Sequence, residues 1–321
     1  MSVIGLPTPD PAVLAGAVLV ALTLDLVWGE PPARLHPVVA MGAYLGAVGR
    51  RVSRASGTPA RPCFEFWSGA LAWSLGAALV GGLAWFAAQA MVGPSAVWQM
   101  LLLGGLLKPL LSWRMLRDEV RSVEVALAQS LEAGRQRVGR LVSRDVAVLD
   151  ETQVREAALS TLAENLNDSV VAPIFWFAIA GLPGAAVYRY ANTADAMWGY
   201  LGERGGRDWT WAGRWAARVD DGLSWLPARL TALGIAGATW VRNFPAIRAE
   251  ARRTLSPNGG WPMGALAVRL GIRLGKPGVY LLNPSGRSPE AADTAAALRR
   301  CGSVVGALAV LAAGGMLGGW R

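Results

Sequence analysis

Long, nearly uninterrupted apolar stretches alternate along this chain with short segments rich in arginine, glycine and proline. The apolar stretches cover residues 12–28, 66–92, 96–113, 223–241 and 301–320. Each approaches the ~20 helical residues needed to cross a hydrocarbon core of about 30 Å. A helix satisfies every backbone N–H and C=O within one segment, which lipid demands of anything that spans it. The pattern therefore predicts an all-α, polytopic integral membrane protein with about 4–6 membrane helices.

Residues 170–181 are also apolar but form a shorter segment. As a helix of about twelve residues it would cover roughly 18 Å, too little for an ordinary crossing. Pro173 near its start and Gly181, Pro183 and Gly184 at its end point to a broken, re-entrant element, which is tolerated at membrane depth only where protein or a water-filled cavity covers the backbone. Between residues 114 and 144 the pattern changes. Met115, Val120, Val123, Leu127 and Leu131 recur at helical spacing while Arg117, Asp118, Glu119, Arg121 and Glu124 occupy the other faces, predicting an amphipathic helix in water or on the membrane surface. Asp150 as N-cap with Gln153 at the capping-box position opens a second helix over 150–165. Gly93, Pro94 and Ser95 read as the turn of a hairpin, and residues 256–262 as a turn that opens a helix over 263–274.

Composition agrees with a membrane location: 53% of residues are hydrophobic and only 17% charged. The formal charge of +9 comes almost wholly from arginine, since Lys108 and Lys276 are the only lysines. The arginines lie between the apolar stretches, as the positive-inside rule requires, so the basic balance implies no nucleic acid; a basic membrane face also suits a phosphorylated or carboxylated ligand. Cys63 and Cys301 are too few and too isolated for a disulfide framework or a metal site. With no basic segment before it and no cleavage site after it, the first apolar stretch reads as a retained anchor. Trp198, Trp209, Trp211 and Trp215 read mostly as an interfacial belt.

The candidate chemistry lies in residues 160–200, where Glu164, Asn165, Asn167, Asp168, Asn192 and Asp195 bracket the short apolar segment. Polar and ionisable groups so close to hydrocarbon are costly and mark a site. Glu164 and Asp168 are four residues apart, hence on one face if the helix continues, and Asp195, Asp220 and Asp221 can join them. Such an oxygen-rich set beside basic side chains suits Mg²⁺ with a nucleotide phosphate; the alternative is helix capping and salt bridging to Arg189, Arg214 or Arg218. His36, the sole histidine, excludes a multi-histidine zinc site and makes a hydrolase triad improbable. Residues 271–277 have the wrong spacing for a phosphate loop, with Pro277 where a serine or threonine should bind the metal. Residues 256–260 can offer backbone N–H groups to an anion.

Taken together, Asp25, Gly29-Glu30-Pro31, His36-Pro37-Val38, Ser143-Arg144-Asp145, the run from Ala163 to Pro173, the run from Asn192 to Tyr200, Ala217 to Asp221, Pro227-Ala228-Arg229 and Ser256 to Pro262 resemble the CobD/CbiB family in order and spacing over nearly the whole chain. The resemblance implies a single membrane domain over residues 1–321 of the bacterial cytoplasmic (inner) membrane. Its cytoplasm-facing site would be formed mainly by 25–42, 140–230 and 255–280. It implies an enzyme of cobalamin synthesis that uses ATP and Mg²⁺ to join adenosylcobyric acid to aminopropanol or aminopropanol phosphate through an amide bond. Its partners would be membrane lipid and other cobalamin-pathway enzymes. On that reading His36, Glu164, Asp168 and Asp195 are catalytic, and Glu164, Asp168, Asp220 and Asp221 hold metal. Arg144, Asn165, Asn192, Arg218, Arg229 and Asn258 bind substrate. The chain departs from the family pattern at Ser160 and Met263, where the family usually has Glu, and at Ser143 and Ala196, where Gly and Ser are commoner. A non-catalytic corrinoid-binding scaffold or AmpE-like sensor is the alternative these departures keep open; a transporter ranks below both.

Overall fold

The computed structural model describes residues 10–93, 95–143 and 145–318. Its helices are, in chain order, α1 (Pro11–Trp28), α2 (Pro37–Val52), α3 (Pro62–Ala90), α4 (Ala96–Leu107), α5 (Trp113–Leu127), α6 (Leu131–Val138), α7 (Glu151–Leu166), α8 (Ala172–Trp198), α9 (Arg214–Ala236), α10 (Trp240–Ala251), α11 (Gly260–Leu270) and α12 (Ala291–Gly318). Five strands of two or three residues complete it: β1 (Arg54–Ala55), β2 (Glu203–Arg204), β3 (Arg207–Asp208), β4 (Leu274–Lys276) and β5 (Tyr280–Leu282). The chain is an all-α, polytopic membrane protein.

Among the described residues 5 helical runs are long and apolar enough to cross a membrane: Pro11–Trp28, Pro62–Ala90, Ala96–Leu127, Glu151–Trp198 and Ala291–Gly318. Residues 223–241 are not among them. They divide between α9, which opens with Arg218, Asp220 and Asp221, and α10. Residues 170–181 are not an isolated short helix. A π-helical turn, Asn167–Val171, joins α7 to α8, and helical geometry is interrupted only at Ala180 (φ −130°, ψ 19°) and Gly181 (φ 61°, ψ −156°). The positive φ is accessible to glycine at no steric cost, which locates the break at Gly181 rather than at Pro173 or Pro183.

The described residues form two compact units. The first takes in residues 10–93, 95–111, 172–223 and 309–318. Here glycines let helices approach closely, as membrane packing favours: a Cβ on Gly16 or Gly104 would meet Met100 or Val20 between α1 and α4, and one on Gly76 would meet Tyr190 between α3 and α8. Leu71, Leu75, Leu79, Leu83 and Phe86, spaced three or four residues apart on α3, are exposed and supply the lipid-facing stripe. Trp198 departs from the belt reading: it is buried, stacks on Trp209 at 6.1 Å, and donates its indole N–H to the Leu45 carbonyl at 3.2 Å. Trp215 likewise packs edge-on against Phe66 and Trp73. Strands β1, β3 and β2 form a small antiparallel patch, where the Arg54 guanidinium pairs with Asp208.

The second unit takes in residues 112–143, 145–171 and 224–308. Its amphipathic stretch is two helices, α5 and α6, separated by residues 128–130, with Val120, Val123 and Leu127 buried as their spacing predicts and Met115 exposed. The α7 capping box forms as read: Asp150 Oδ1 accepts from Gln153 N at 2.8 Å, and Gln153 Oε1 accepts from Asp150 N at 3.0 Å. Arg155 on α7 grips Glu124 on α5 through both Nε and Nη2. The helix predicted over 263–274 begins earlier and ends earlier, because Gly271 adopts a left-handed conformation (φ 66°) and residues 274–276 enter the β4–β5 hairpin.

Candidate functional site

In the second unit the sequence motifs converge. α7 presents Glu164 toward the turn that precedes α11: a Cβ on Gly259 would lie 2.9 Å from Glu164 Oε1, so the carboxylate occupies the space that glycine leaves open. The neighbouring Asn258 is buried, and its Oδ1 accepts from Arg229 Nη1 at 2.7 Å. Arg229, on α9, also donates to the Pro257 and Trp225 carbonyls at 3.1 and 2.7 Å. Its guanidinium lies over the Trp225 and Trp261 rings, 4.5 and 4.8 Å from their centroids, a cation–π arrangement that fixes the plane of the group. Burial lowers the Arg229 pKa from its ordinary value.

Two residues along α9, Thr231 Oγ1 donates to Asn167 Oδ1 at 3.1 Å, and Asn167 Nδ2 donates to Asp168 Oδ1 at 2.8 Å. The π-helical turn that carries Asn167 and Asp168 alters the helical phase, so the four-residue spacing of Glu164 and Asp168 no longer places them as an α-helix would. Such turns widen the helix locally and recur at functional sites. Asn165 makes a local bond, Nδ2 to the Thr161 carbonyl at 3.1 Å. The Asn258 and Gly259 N–H groups both donate to Ser256 Oγ at 3.2 Å, which occupies the donors read as an anion cradle. Ser160 and Met263 are both buried, and among the described residues the Ser160 hydroxyl has no hydrogen-bond partner.

The remaining predicted residues belong to the first unit. Asp195, near the end of α8, sits directly against Gly199, where no side chain larger than hydrogen fits. Asn192 accepts from Arg189 Nη1 at 3.4 Å. Arg218 is exposed in the first turns of α9, followed by half-buried Asp220 and Asp221, and burial raises the Asp221 pKa above the usual carboxylate range. His36 caps α2: Nδ1 accepts from Val38 N at 3.3 Å, so the ring proton is on Nε2 and points at Glu30 Oε2, 3.0 Å away. Arg144 lies outside the described residues.

One group of residues is not evident from the sequence. Lys108 Nζ lies 3.4 Å from Asp25 Oδ1 and 3.3 Å from Glu30 Oε2, which joins the acidic end of α1 to His36 through one buried ammonium. The only available signal was rarity, since Lys108 is a lysine in a chain whose other cations are nearly all arginine. Among the described residues no three His, Cys, Asp or Glu side chains gather as a metal-binding set.

Comparison with known proteins agrees with the motif reading. The family described as CobD/Cbib protein matches residues 18–305. The chain is 39% identical over 272 residues to a "Probable cobalamin biosynthesis protein CobD" of Methanothermobacter thermautotrophicus, covering 82% of this chain and 85% of the relative. It is 35% identical over 300 residues to the "Cobalamin biosynthesis protein CobD" of Rhodobacter capsulatus, covering 88% and 91%. Against the protein of that name from Chromobacterium violaceum it is 40% identical over 263 residues, covering 80% of each. No solved structure matches.

Proposed function

Because this chain belongs to the CobD/CbiB family of cobalamin biosynthesis proteins, we propose that it is a ligase of the bacterial cytoplasmic membrane. It joins the free carboxyl of adenosylcobyric acid to aminopropanol or its phosphate in an ATP-dependent amide-forming step. The observation that carries this reading is the meeting of Glu164 with Gly259, beside the Asn258–Arg229 pair: three separate family motifs supply one acidic and one basic group to a single half-buried junction.

A carboxylate resists attack by an amine at neutral pH, so it is first phosphorylated: its oxygen attacks the γ-phosphorus of ATP and ADP leaves; the amine nitrogen then attacks the acyl-phosphate carbonyl carbon, inorganic phosphate leaves, and loss of a proton from nitrogen gives the amide. Arg229, held flat between Trp225 and Trp261, binds an anionic oxygen of carboxylate or phosphate. Arg218 and the predicted Arg144 serve the same class of group, while Asn165, Asn192 and Asn258 position substrate. Asp195 takes the proton that the attacking amine releases, and His36 orients substrate through a ring fixed by Val38 and Glu30. A bound Mg²⁺ would supply charge neutralisation to the phosphoryl group in transfer. Glu164 and Asp168 are the carboxylates that would hold it, in keeping with a shell that seldom takes more than one or two protein carboxylates.

A second reading, a corrinoid-binding scaffold without turnover, is favoured by the buried Ser160 hydroxyl and the buried Met263 thioether, neither of which can replace a carboxylate. Purified protein in detergent, given adenosylcobyric acid, aminopropanol phosphate, ATP and Mg²⁺, separates the two. The ligase yields the cobinamide phosphate with matching ADP release, and Asp168→Asn or Asp195→Asn lowers turnover by orders of magnitude. Corrinoid binding by folded protein with neither product nor ADP establishes the scaffold.

A further inference from the structure

In the second unit a groove of about 500 Å³ runs between α5 and α12, away from the junction of Glu164 and Arg229 in sequence and composition. It is lined by Val125, Ala128, Ala291, Ala295 and Leu298 together with Arg117, Arg121 and Arg299. One carboxylate lines it, Glu124, and that charge is already met: Arg155 Nη2 lies 2.8 Å from Oε1, and Thr294 Oγ1 donates to Oε2 at 2.8 Å. Arg117 shares its Nε–H with Asp118 Oδ1 at 2.9 Å. Arg121 and Arg299 are exposed and have no carboxylate partner among the described residues. The groove thus sets unpaired cations beside an apolar lining.

Its level relative to the bilayer follows from α12. The helix carries Asp293, Arg299 and Arg300 in its first ten residues and no charge from Cys301 onward, within a run long and apolar enough to span a membrane. α5 packs antiparallel to it, with Trp113 against Gly302 and Glu124 bonded to Thr294. Arg299 therefore stands within one turn of the point where α12 becomes uncharged, on its charged side, and Arg117 and Arg121 stand about one and two turns along α5 from Trp113 in the same direction. Phosphodiester headgroups occupy the depth just outside the hydrocarbon, with acyl chains beside Val125, Ala295 and Leu298.

We infer that this groove is a binding site for an anionic phospholipid, the phosphodiester held by Arg121 and Arg299 with Arg117 and the glycerol and upper acyl chain lying on Val125, Ala295 and Leu298. Guanidinium forks match phosphate oxygens, and cations near the membrane surface gain additively from anionic lipid. The test is native mass spectrometry of the detergent-purified full chain titrated with phosphatidylglycerol, with phosphatidylcholine and glycerol phosphate as probes of the same titration. Phosphatidylglycerol adducts should form at the lowest concentration. Arg121→Gln with Arg299→Gln should weaken them by roughly tenfold or more, while Arg121→Lys with Arg299→Lys and the exposed control Arg252→Gln should retain most of the binding. A thermal shift of the wild-type protein with phosphatidylglycerol, absent with phosphatidylcholine, supports the site independently of any variant. Equal retention of both lipids, undiminished phosphatidylglycerol adducts in the double Gln variant, or displacement by glycerol phosphate at equal concentration would overturn it.

Discussion

Lys108 Nζ stands 3.4 Å from Asp25 Oδ1, an ion pair whose side chains are only 8% and 1% exposed. Such a pair contributes little over a well-packed apolar substitute, yet removing one member leaves the other charged and buried. Here the consequence is doubled, because Glu30 also relies on Lys108, and His36 is held through Glu30. Lys108→Met should destabilise the protein by about 3–5 kcal/mol, read as a lowered unfolding midpoint in detergent. Adding Asp25→Asn to that variant should recover part of the loss. An unchanged midpoint in Lys108→Met would show that Asp25 and Glu30 are neutralised by other means.

Gly259 separates activity from stability. Its backbone (φ −56°, ψ −32°) is ordinary helical geometry that alanine adopts without strain, but the added methyl would lie 2.9 Å from Glu164 Oε1. The carboxylate is the end of a flexible side chain and can swing aside, so Gly259→Ala should fold with a near-normal unfolding midpoint. Displacing a reacting group by an ångström costs rate, and turnover in the ligase assay should fall by roughly a hundredfold. Glu164→Gln, which keeps the shape and removes the charge, should fall at least as far; wild-type turnover in both would remove Glu164 from the chemistry.

Asp208 and Asp221 should give stability–pH profiles of opposite sign. The Thr210 hydrogen bonds and the Arg54 charge hold Asp208 below the usual carboxylate range, so its contribution is present above the unfolded-state value and is lost as pH falls through the lowered folded value. Burial holds Asp221 above that range, so its contribution is full below the unfolded-state value and is lost as pH rises through the raised folded value. Thermal midpoints measured across acid pH should show Asp208→Asn destabilised at neutral pH and converging on wild type as acid is added. Asp221→Asn should gain on wild type as pH rises through the same region.

What was legible in the chain depended on the range of the interaction that sets it. The Asp150–Gln153 capping box and the burial of Val120, Val123 and Leu127 follow from neighbours within a turn or two, and both are present as read. The long apolar helices follow from the bilayer, which imposes one length on every span. The π-helical turn at Asn167–Val171 has no sequence period of its own, so residues 170–181 look too short when they are part of the run Glu151–Trp198. The start of α12 was missed for a related reason: Ala291 to Arg300 is interrupted by Asp293, Arg299 and Arg300 and is fixed by Arg287, whose guanidinium grips Asp293 at 2.6 and 2.7 Å, a contact no hydropathy pattern shows. Within the candidate site, residue types could be named from motifs, and their pairing could not. Asn167 with Thr231 and Arg229 with Asn258 are joined across 64 and 29 residues of chain.

Gly237 and Arg300 together close the end of α9, and they give the most direct test of how the second unit is held. Helix ends leave carbonyls without partners. Arg300 meets this need from α12, donating Nη2–H to the Gly234 carbonyl at 3.1 Å and Nε–H to the Ile235 carbonyl. The guanidinium can reach them because residue 237 has a positive φ of 56° and no side chain; a Cβ there would overlap Arg300 Nη2. Gly237→Ala meets two penalties at once, the left-handed backbone and the displaced cap, and should cost about 2–3 kcal/mol in unfolding stability. Arg300→Met removes the cap and relieves the overlap, so Gly237→Ala made in that background should cost only the backbone part, about 1–2 kcal/mol. Unfolding midpoints of the four proteins in this cycle measure the coupling. Fully additive losses would show that the α9 carbonyls do not depend on the guanidinium.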